Sequence, residues 1–367
     1  RDPLWSRGLG DVYKRQLNAG YQPNSLSDTE ILLNYIAYLF DKSTYNDINH
    51  ILNEMLTELY SNIKGSYSIL LLINGYGLVA FCDQFGIKPL VYGYNEDTQM
   101  HLFSSESISL DVLNYDSISD INPGEIYFVN TKNDLTISKI PSKTSIIPCI
   151  FEYVYFARPE SYIRGVSVYS ARINMGYYLA EKIKNLLTSE ELEKVACIIP
   201  VPDTSVVASS EISFQLKKPI RFGIIKNRYI DRTFIMKNNV LRRNNIRQKL
   251  YIVEREVKGK DIIVVDDSIV RGNTSMHIND ELKKAGANRI YFASCCPQIR
   301  YKNIYGIDIP TSSDLVAYNK TDEQIAMQIK GDKVIYQDLD DLKTSVKNLN
   351  NNLSDFEMSV FTGKYIS

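Results

Sequence analysis

The chain has 367 residues, with 42 Lys and Arg against 43 Asp and Glu, a net charge of −1, and 44% hydrophobic residues. A length of this kind predicts about two domains of ~150 residues each, in an ordinary globular protein. The balanced charge gives no global indication of nucleic-acid binding. There is no visible signal peptide, and no apolar run reaches the ~18 residues of a membrane span.

Residues 1–16 (RDPLWSRGLGDVYKRQ) differ in character from the rest of the chain. They contain the only Trp, are rich in Arg, and show neither helical nor strand periodicity. We expect this segment to be a foreign leader from cloning or assembly, outside the fold.

The following part predicts two helices and then a series of short strands. Ser27 and Glu30 have the spacing of a capping box before an apolar run, so a helix is expected to begin there. A second helix is expected over roughly 46–62. Short apolar segments separated by Asn, Gly, Asp and Pro turns then predict an antiparallel sheet. These segments are SYSILLLIN, GLVAFCD, PLVYGYN, MHLFSSES, EIYFVN and LTISKI. The pattern indicates an α+β domain.

A helix from about Met175 to Leu187 is expected next, followed by the segment IIPVPDTS at 198–205. This segment predicts a buried strand that runs into a turn containing Asp203, Thr204 and Ser205. Turns at strand ends are common, so spacing alone leaves a structural and a functional interpretation equally open. Its position ahead of an acidic strand end favours a functional one.

Residues 226–249 have a local excess of positive charge in a chain that is otherwise balanced. The basic residues are Lys226, Arg228, Arg232, Lys237, Arg242, Arg243, Arg247 and Lys249. One interpretation is a nucleic-acid surface, which calls for basic residues spread over a face with aromatic stacking. The other is a lid that closes over a polyanionic small molecule. Part of the run, from Arg242 onward, also fits a solvated basic loop.

Residues 262–275 (IIVVDDSIVRGNTS) predict a buried strand, two carboxylates, and a polar loop that enters a helix near Thr274. The start of a helix presents free N–H groups and a positive dipole, so it suits a phosphate. Ser268 adds a hydroxyl donor, and Gly272 permits close backbone approach. Asp266 and Asp267 suit hydroxyl donors or a divalent cation instead. A phosphorylated sugar bound with Mg²⁺ satisfies both requirements.

The string DDSIVRG resembles the phosphoribosyl pyrophosphate (PRPP) signature of type I phosphoribosyltransferases, in the form found in the amidophosphoribosyltransferase family. Relatives usually have Thr where this chain has Asn273. The resemblance implies an α/β domain with a parallel sheet. It also implies substrate contacts by Asp203, Thr204, Asp266, Asp267, Ser268, Ile269, Val270, Arg271, Gly272, Asn273 and Thr274. Ser205, Asp266 and Asp267 would contact the metal.

The segment KNRYIDRTFI at 226–235 resembles the flexible loop of the same family. By this resemblance Lys226 neutralises pyrophosphate, and Arg228 and Tyr229 belong to the catalytic set. Tyr229 and Ile235 would close the site and shape an ammonia passage.

The preceding half resembles the second part of that family's glutaminase domain, an α+β N-terminal-nucleophile-hydrolase fold. SDTEILL, GSYSILLLI, FCDQFGIKPL, SSESISLD and NPGEIYFV match in order. By this resemblance the Asp28 carboxylate pairs with the α-ammonium group of glutamine. An acidic residue that simply stabilises the N-terminus of a helix explains Asp28 equally well. The nucleophilic Cys and the early family segment are absent from the sequence, so we expect at most ammonia-dependent activity. Lys88 replaces a usual Arg.

The resemblance extends to about residues 17–367 and implies Mg²⁺ as cofactor, PRPP and glutamine or ammonia as substrates, purine nucleotides as feedback inhibitors, and a homotetramer. Five cysteines without CxxC spacing indicate a reducing cytoplasm. Some relatives carry an iron–sulfur cluster at a position equivalent to Cys149, but further ligands are missing and no cluster is expected. No nucleic-acid or membrane partner is expected.

Three functions remain open at this point. They are the amidotransferase of de novo purine biosynthesis, a salvage phosphoribosyltransferase, and a non-catalytic PRPP-binding regulator. The long antiparallel domain disfavours the second, and the intact acidic and pyrophosphate-loop motifs disfavour the third. The expected division is a leader (1–16), a partial glutaminase domain (17–146), a phosphoribosyltransferase domain (147–345) and a C-terminal tail (346–367).

Overall fold

The computed structural model describes residues 25, 27–141, 145–227, 250–309 and 311–366. Its first two helices are α1 (Asp28–Lys42) and α2 (Ile48–Asn62). Both begin close to the predicted positions. The capping box predicted for α1 is wrong, because the Ser27 side chain makes no capping hydrogen bond and Glu30 instead accepts one from Ser25.

Seven strands and one short helix follow. They are β1 (Ser68–Ile73), β2 (Gly77–Cys82), β3 (Val91–Asn95), β4 (Met100–Ser104), α3 (Ser107–Val112), β5 (Ser117–Asp120), β6 (Glu125–Asn130) and β7 (Leu135–Lys139). They form two antiparallel sheets, in the orders β1-β2-β6-β7 and β4-β3-β5. The predicted antiparallel arrangement is confirmed, whereas α3 and β5 were not predicted.

The N-terminal half is layered as helices, sheet and sheet. Successive residues of a strand point to opposite faces, and β2 shows this directly. Phe81 packs with Leu52 and Leu56 of the helix layer, whereas Ala80 packs in one cluster with Tyr92 and Phe103 of the second sheet. The central sheet is therefore buried on both faces over β2 and β6.

The two halves meet at a junction formed by residues 145–167. It contains a π-helical turn (Glu152–Phe156) and the short strands β8 (Tyr162–Ile163) and β9 (Val166–Ser167). Helix α4 (Val168–Leu186) follows, with the Ser167 hydroxyl accepting a hydrogen bond from the Ser170 backbone N–H. The predicted start near Met175 was therefore late.

The C-terminal half contains the expected parallel sheet. Its strands are β10 (Val195–Pro200), β13 (Asp261–Asp266), β14 (Arg289–Ser294) and β15 (Lys333–Tyr336), in that spatial order. Helices α4 and α6 (Val206–Leu216) cover one face, and α8 (Asn273–Lys284) and α9 (Asp322–Gln328) cover the other. Strands buried on both faces are typical of parallel sheets.

The remaining elements complete this half. They are α5 (Ser189–Lys194), the hairpin of β11 (Ile224–Lys226) and β12 (Leu250–Ile252), α7 (Glu254–Val257), a 3-10 turn (Ser312–Asp314), α10 (Leu339–Lys347) and α11 (Ser359–Thr362). Phe356 and Phe361, from the predicted tail, pack in one apolar cluster with Ile150 and Tyr153 of the junction and Ile87 of the N-terminal half. None of the helices in the described residues has the length and apolar character needed to cross a membrane.

Candidate active site

The candidate site lies at the carboxyl ends of two neighbouring parallel strands. Strands β10 and β13 are paired so that Pro200 lies opposite Val265. The turn after β10 and the loop after β13 therefore meet at the same sheet edge, where ligands bind in open α/β sheets.

Asp266 and Asp267 are both buried at this edge. The Asp267 backbone N–H donates to Asp266 Oδ1 at 2.9 Å. Ser268 Oγ donates to Asp267 Oδ1 at 2.6 Å, and the Thr204 hydroxyl donates to Asp267 Oδ2. Thr204 thus links the turn after β10 directly to the carboxylate pair.

The charge of this pair is poorly compensated. Burial raises the pKa of both carboxyls, and the neighbouring charge of Asp267 raises the pKa of Asp266 further. The Ser268 and Thr204 hydroxyls oppose this effect at Asp267. Among the described residues, neither carboxylate has a Lys, Arg or His nitrogen within ion-pair distance. The pair is therefore suited to a cation or to a ligand rich in hydroxyl donors.

The turn after β10 contains a cis peptide bond between Pro202 and Asp203. Asp203 Oδ2 accepts from Lys226 Nζ at 2.7 Å, and both side chains are exposed. Ser205 is buried, and its hydroxyl donates to the Val201 carbonyl at 2.6 Å. Of the two hydroxyls in this turn, that of Thr204 therefore faces the carboxylates, and the expected metal contact by Ser205 stays a prediction.

The loop after β13 leads into α8 through Gly272, whose φ of 75° favours glycine. A Cβ at Gly272 would lie 2.8 Å from Val316 Cγ2. Ile269 is buried in the core, and the Val270 carbonyl accepts from the Val316 N–H at 2.9 Å. These two apolar residues hold the loop in place, which leaves Ser268 and the helix start at Asn273 and Thr274 for a ligand.

Sequence reasoning missed Arg172, a buried residue of α4. Its guanidinium donates to the Tyr153 carbonyl at 2.9 Å and to the Ala157 carbonyl at 2.7 Å. Its charge lowers the pKa of Asp267, and burial lowers its own pKa. The available signal was an Arg on the otherwise apolar face of α4.

The other predicted site residues lie elsewhere. Asp28 is the first residue of α1, in the helix layer of the N-terminal half, and the structure does not bring it to the sheet edge. Lys88 forms an ion pair of 2.7 Å with Glu152 at the junction. Arg228 and Tyr229, together with the basic residues up to Lys249, lie outside the described residues.

Comparison with known proteins gives matches in both halves. A family model described as a glutamine amidotransferase domain matches residues 11–112, and one described as a phosphoribosyl transferase domain matches residues 176–309.

Curated relatives named amidophosphoribosyltransferase include that of Pasteurella multocida, 44% identical over 94% of this chain and 68% of the relative. The protein of Escherichia coli is 41% identical with the same coverage. A solved glutamine PRPP amidotransferase from Bacillus subtilis, complexed with ADP and GMP, superimposes with a TM-score of 0.83 at 29% identity. That match covers 98% of this chain and 75% of the other.

Proposed function

Since the chain belongs to the amidophosphoribosyltransferase family, which catalyses the first committed step of purine biosynthesis, we propose that PRPP binds at the Asp266–Asp267 sheet edge and is converted there to 5-phosphoribosylamine. The observation that carries this assignment is the buried carboxylate pair, bonded to Thr204 and leading into the N-terminus of α8. Enzymes of this family are pentosyltransferases. The family models match both halves of the chain, which favours this family over a salvage phosphoribosyltransferase.

The two ends of PRPP require opposite chemistry, and the sheet edge supplies both. The 5′-phosphate accepts hydrogen bonds from the backbone N–H groups at the start of α8 and from the Ser268 and Thr274 hydroxyls. The ribose hydroxyls donate to Asp266 and Asp267, which in their ionised form act solely as hydrogen-bond acceptors. Ile269, Val270 and Arg271 fix the loop between these two contacts.

The pyrophosphate end is assigned to the turn after β10. Asp203 and Thr204 lie there, and Lys226 is held at 2.7 Å from Asp203. Lys226 neutralises charge that develops as the bond from C1 to pyrophosphate breaks. Arg228 and Tyr229 are assigned to the same step from the sequence. Ammonia then forms the new bond to C1 and loses a proton, so catalysis is mainly positioning and electrostatic.

Mg²⁺ is the cofactor we propose. The described residues contain no cluster of three or more metal-binding side chains. Mg²⁺ commonly binds through one or two carboxylates together with substrate phosphates, so the uncompensated Asp266–Asp267 pair fits it. Bound there with Ser205 nearby, the ion would offset negative charge on the carboxylates and the leaving pyrophosphate.

Ammonia itself is the nitrogen donor proposed for this chain. In the intact family enzyme glutamine is the source of that ammonia, and Asp28 is assigned to the α-ammonium group of glutamine. Regulation by purine nucleotides is proposed because the Bacillus subtilis neighbour was solved with ADP and GMP. A homotetrameric assembly, a cytoplasmic location and the domain bounds 17–146, 147–345 and 346–367 complete the proposal.

The test measures pyrophosphate release from PRPP and Mg²⁺, with ammonium chloride or glutamine in parallel. Turnover that is lost in Asp267→Asn supports the assigned site. A folded chain that neither turns over nor binds PRPP would overturn it. Nucleobases supplied as alternative acceptors distinguish a salvage enzyme, which would use them in place of ammonia.

A further inference from the structure

Residues 303–309 form a turn whose shape depends on one side-chain oxygen. Asn303 is buried, and its Oδ1 accepts from the Tyr305 N–H at 2.8 Å and from the Ile307 N–H at 2.9 Å. The Asn303 N–H closes the turn by donating to the Ile309 carbonyl at 3.0 Å. We call residues 303–309 the Asn303 turn.

One side of the Asn303 turn contacts the N-terminal half of the chain. Ser66 Oγ donates to the Tyr305 carbonyl at 2.8 Å, across 239 positions of sequence. Tyr305 is itself buried, and its hydroxyl accepts from the Ile366 N–H at 2.7 Å. The turn is therefore held from outside by Ser66 as well as from inside by Asn303.

The opposite side of the Asn303 turn contacts the loop after β13. Arg271 Nη2 donates to the Asp308 carbonyl at 3.2 Å, and it lies 3.8 Å from the exposed Asp308 carboxylate. The shorter contact, and the one within hydrogen-bond distance, is to a backbone atom, so the position of Arg271 depends on the conformation of the turn. Arg271 directly precedes Gly272, the N-cap of α8.

We propose that the Asn303 turn is a positioning element for PRPP binding, in which Asn303 and Ser66 hold the Asp308 carbonyl where it anchors Arg271 beside the phosphate-binding helix start. This inference rests on the proposed function, since it assumes that α8 receives the 5′-phosphate. By this inference Asn303 and Ser66 affect the affinity for PRPP through Arg271, without contacting PRPP themselves.

The first test compares Asn303→Ala with Asn303→Asp. Alanine removes the oxygen that accepts both N–H groups, whereas aspartate keeps an acceptor at that position. Asn303 Nδ2 has no hydrogen-bond partner within the described part of the chain, so Asp loses no hydrogen bond there, and the two N–H groups that donate to Oδ1 offset the charge that Asp buries. We expect the KM for PRPP to rise about tenfold in Asn303→Ala with kcat within about twofold, as for lost uniform binding. Asn303→Asp should restore the KM.

The second test removes the contact between Ser66 and the Asn303 turn. It still measures the KM for PRPP if Asn303→Ala does not fold. Ser66→Ala deletes the hydroxyl that reaches the Tyr305 carbonyl. Ser68→Ala is the matched control, because Ser68 Oγ donates to the carbonyls of Lys88 and Pro89 within the N-terminal half. We expect about a threefold rise in the KM for PRPP in Ser66→Ala and none in Ser68→Ala.

The outcomes separate this inference from the proposed function. If wild-type protein turns over PRPP with ammonium chloride but Ser66→Ala and Ser68→Ala have the same KM, the positioning role is wrong and the PRPP site stands. Loss of kcat and melting temperature together in Asn303→Ala, without rescue by Asp, also overturns it. If wild-type protein neither binds nor turns over PRPP, both fail.

Discussion

Each half of the chain places a buried acidic turn after a strand, and the two turns differ in what their carboxylates bond to. Asp83, after β2, accepts backbone N–H groups from Phe85 and Ile87 on one oxygen and from Tyr67 and Ile87 on the other. At the end of β13, the Asp266 carboxylate accepts only the Asp267 backbone N–H among the hydrogen bonds of the described residues, and the Asp267 carboxylate accepts from the hydroxyls of Ser268 and Thr204. Burial alone therefore does not identify a functional acid.

The difference lies in how much of the charge the protein itself satisfies. Backbone N–H groups are fixed donors, so Asp83 organises its own turn and leaves no acceptor for a ligand. Hydroxyls can rotate, and two adjacent carboxylates repel each other, so the Asp266–Asp267 pair retains demand for a cation or donor. We infer a structural role for Asp83 and a ligand-binding role for the pair.

The largest effect is expected for Asp267→Asn. Losing one charged acceptor should reduce pyrophosphate release about 100-fold or more, equivalent to about 2.7 kcal/mol of transition-state stabilisation. The melting temperature should not fall, because the change removes a buried charge. Asp261→Asn is the control, since Asp261 is a buried acid at the other end of the same strand. If Asp261→Asn lost as much pyrophosphate release as Asp267→Asn, the Asp266–Asp267 pair would have no special role in ligand binding.

Asp83→Asn should lower the stability of the fold and leave the activity almost unchanged, the reverse of Asp267→Asn. The amide keeps one acceptor oxygen and turns the other into a donor, which leaves a buried N–H without its acceptor. We expect a loss of about 2 kcal/mol in the free energy of unfolding, measured with urea, while the kcat for pyrophosphate release changes less than about threefold. Asp134→Asn changes an exposed turn residue whose carboxylate accepts from Asn130 Nδ2, and it should shift stability by less than about 0.5 kcal/mol. A large loss of kcat in Asp83→Asn would contradict the structural role.

Lys226→Ala tests the cation assigned to the pyrophosphate end of the site, at the turn after β10. We expect about a tenfold fall in kcat/KM for PRPP, equivalent to about 1.4 kcal/mol, because a charge facing pyrophosphate is lost. Stability should be unchanged, since the ion pair with Asp203 is exposed and such pairs contribute little. Lys258→Ala is matched, because Lys258 forms an exposed pair of the same 2.7 Å length with Glu254. An equal fall in kcat/KM in Lys226→Ala and Lys258→Ala would contradict the assignment of Lys226 to pyrophosphate.

The sequence predicted the features that depend on local pattern. The strand Ile262–Val265, its two carboxylates and the entry into α8 were all predicted, because a buried parallel strand and a helix start have short-range signatures. The start of α4 was predicted late, because Arg172 interrupts its apolar periodicity while the protein satisfies it with the carbonyls of Tyr153 and Ala157.

Contacts between distant segments were beyond sequence reasoning. The bond from Thr204 to Asp267 joins residues 63 positions apart, and that from Ser66 to Tyr305 joins residues 239 apart. Ser205 illustrates the same limit, because its hydroxyl could face the site or its own turn, and the structure has it donating to Val201. Pairing of this kind follows from the tertiary fold alone.

The smallest expected effect is a pH dependence that belongs to Asp83. Burial raises the pKa of Asp83 to about 6 from a usual value of 3.8, against the opposing effect of the backbone N–H groups. A carboxyl whose pKa is raised on folding binds more protons in the folded state, so its contribution to stability is present at low pH and is lost as pH rises through 6. Between pH 5 and pH 6 the wild type should lose about 1 kcal/mol relative to Asp83→Asn, and little more above pH 7. Urea unfolding of both proteins across this range measures the difference. A stability difference that stays constant over this range would mean that the backbone donors keep Asp83 ionised in the fold, which would make its turn more unlike the Asp266–Asp267 pair than burial suggests.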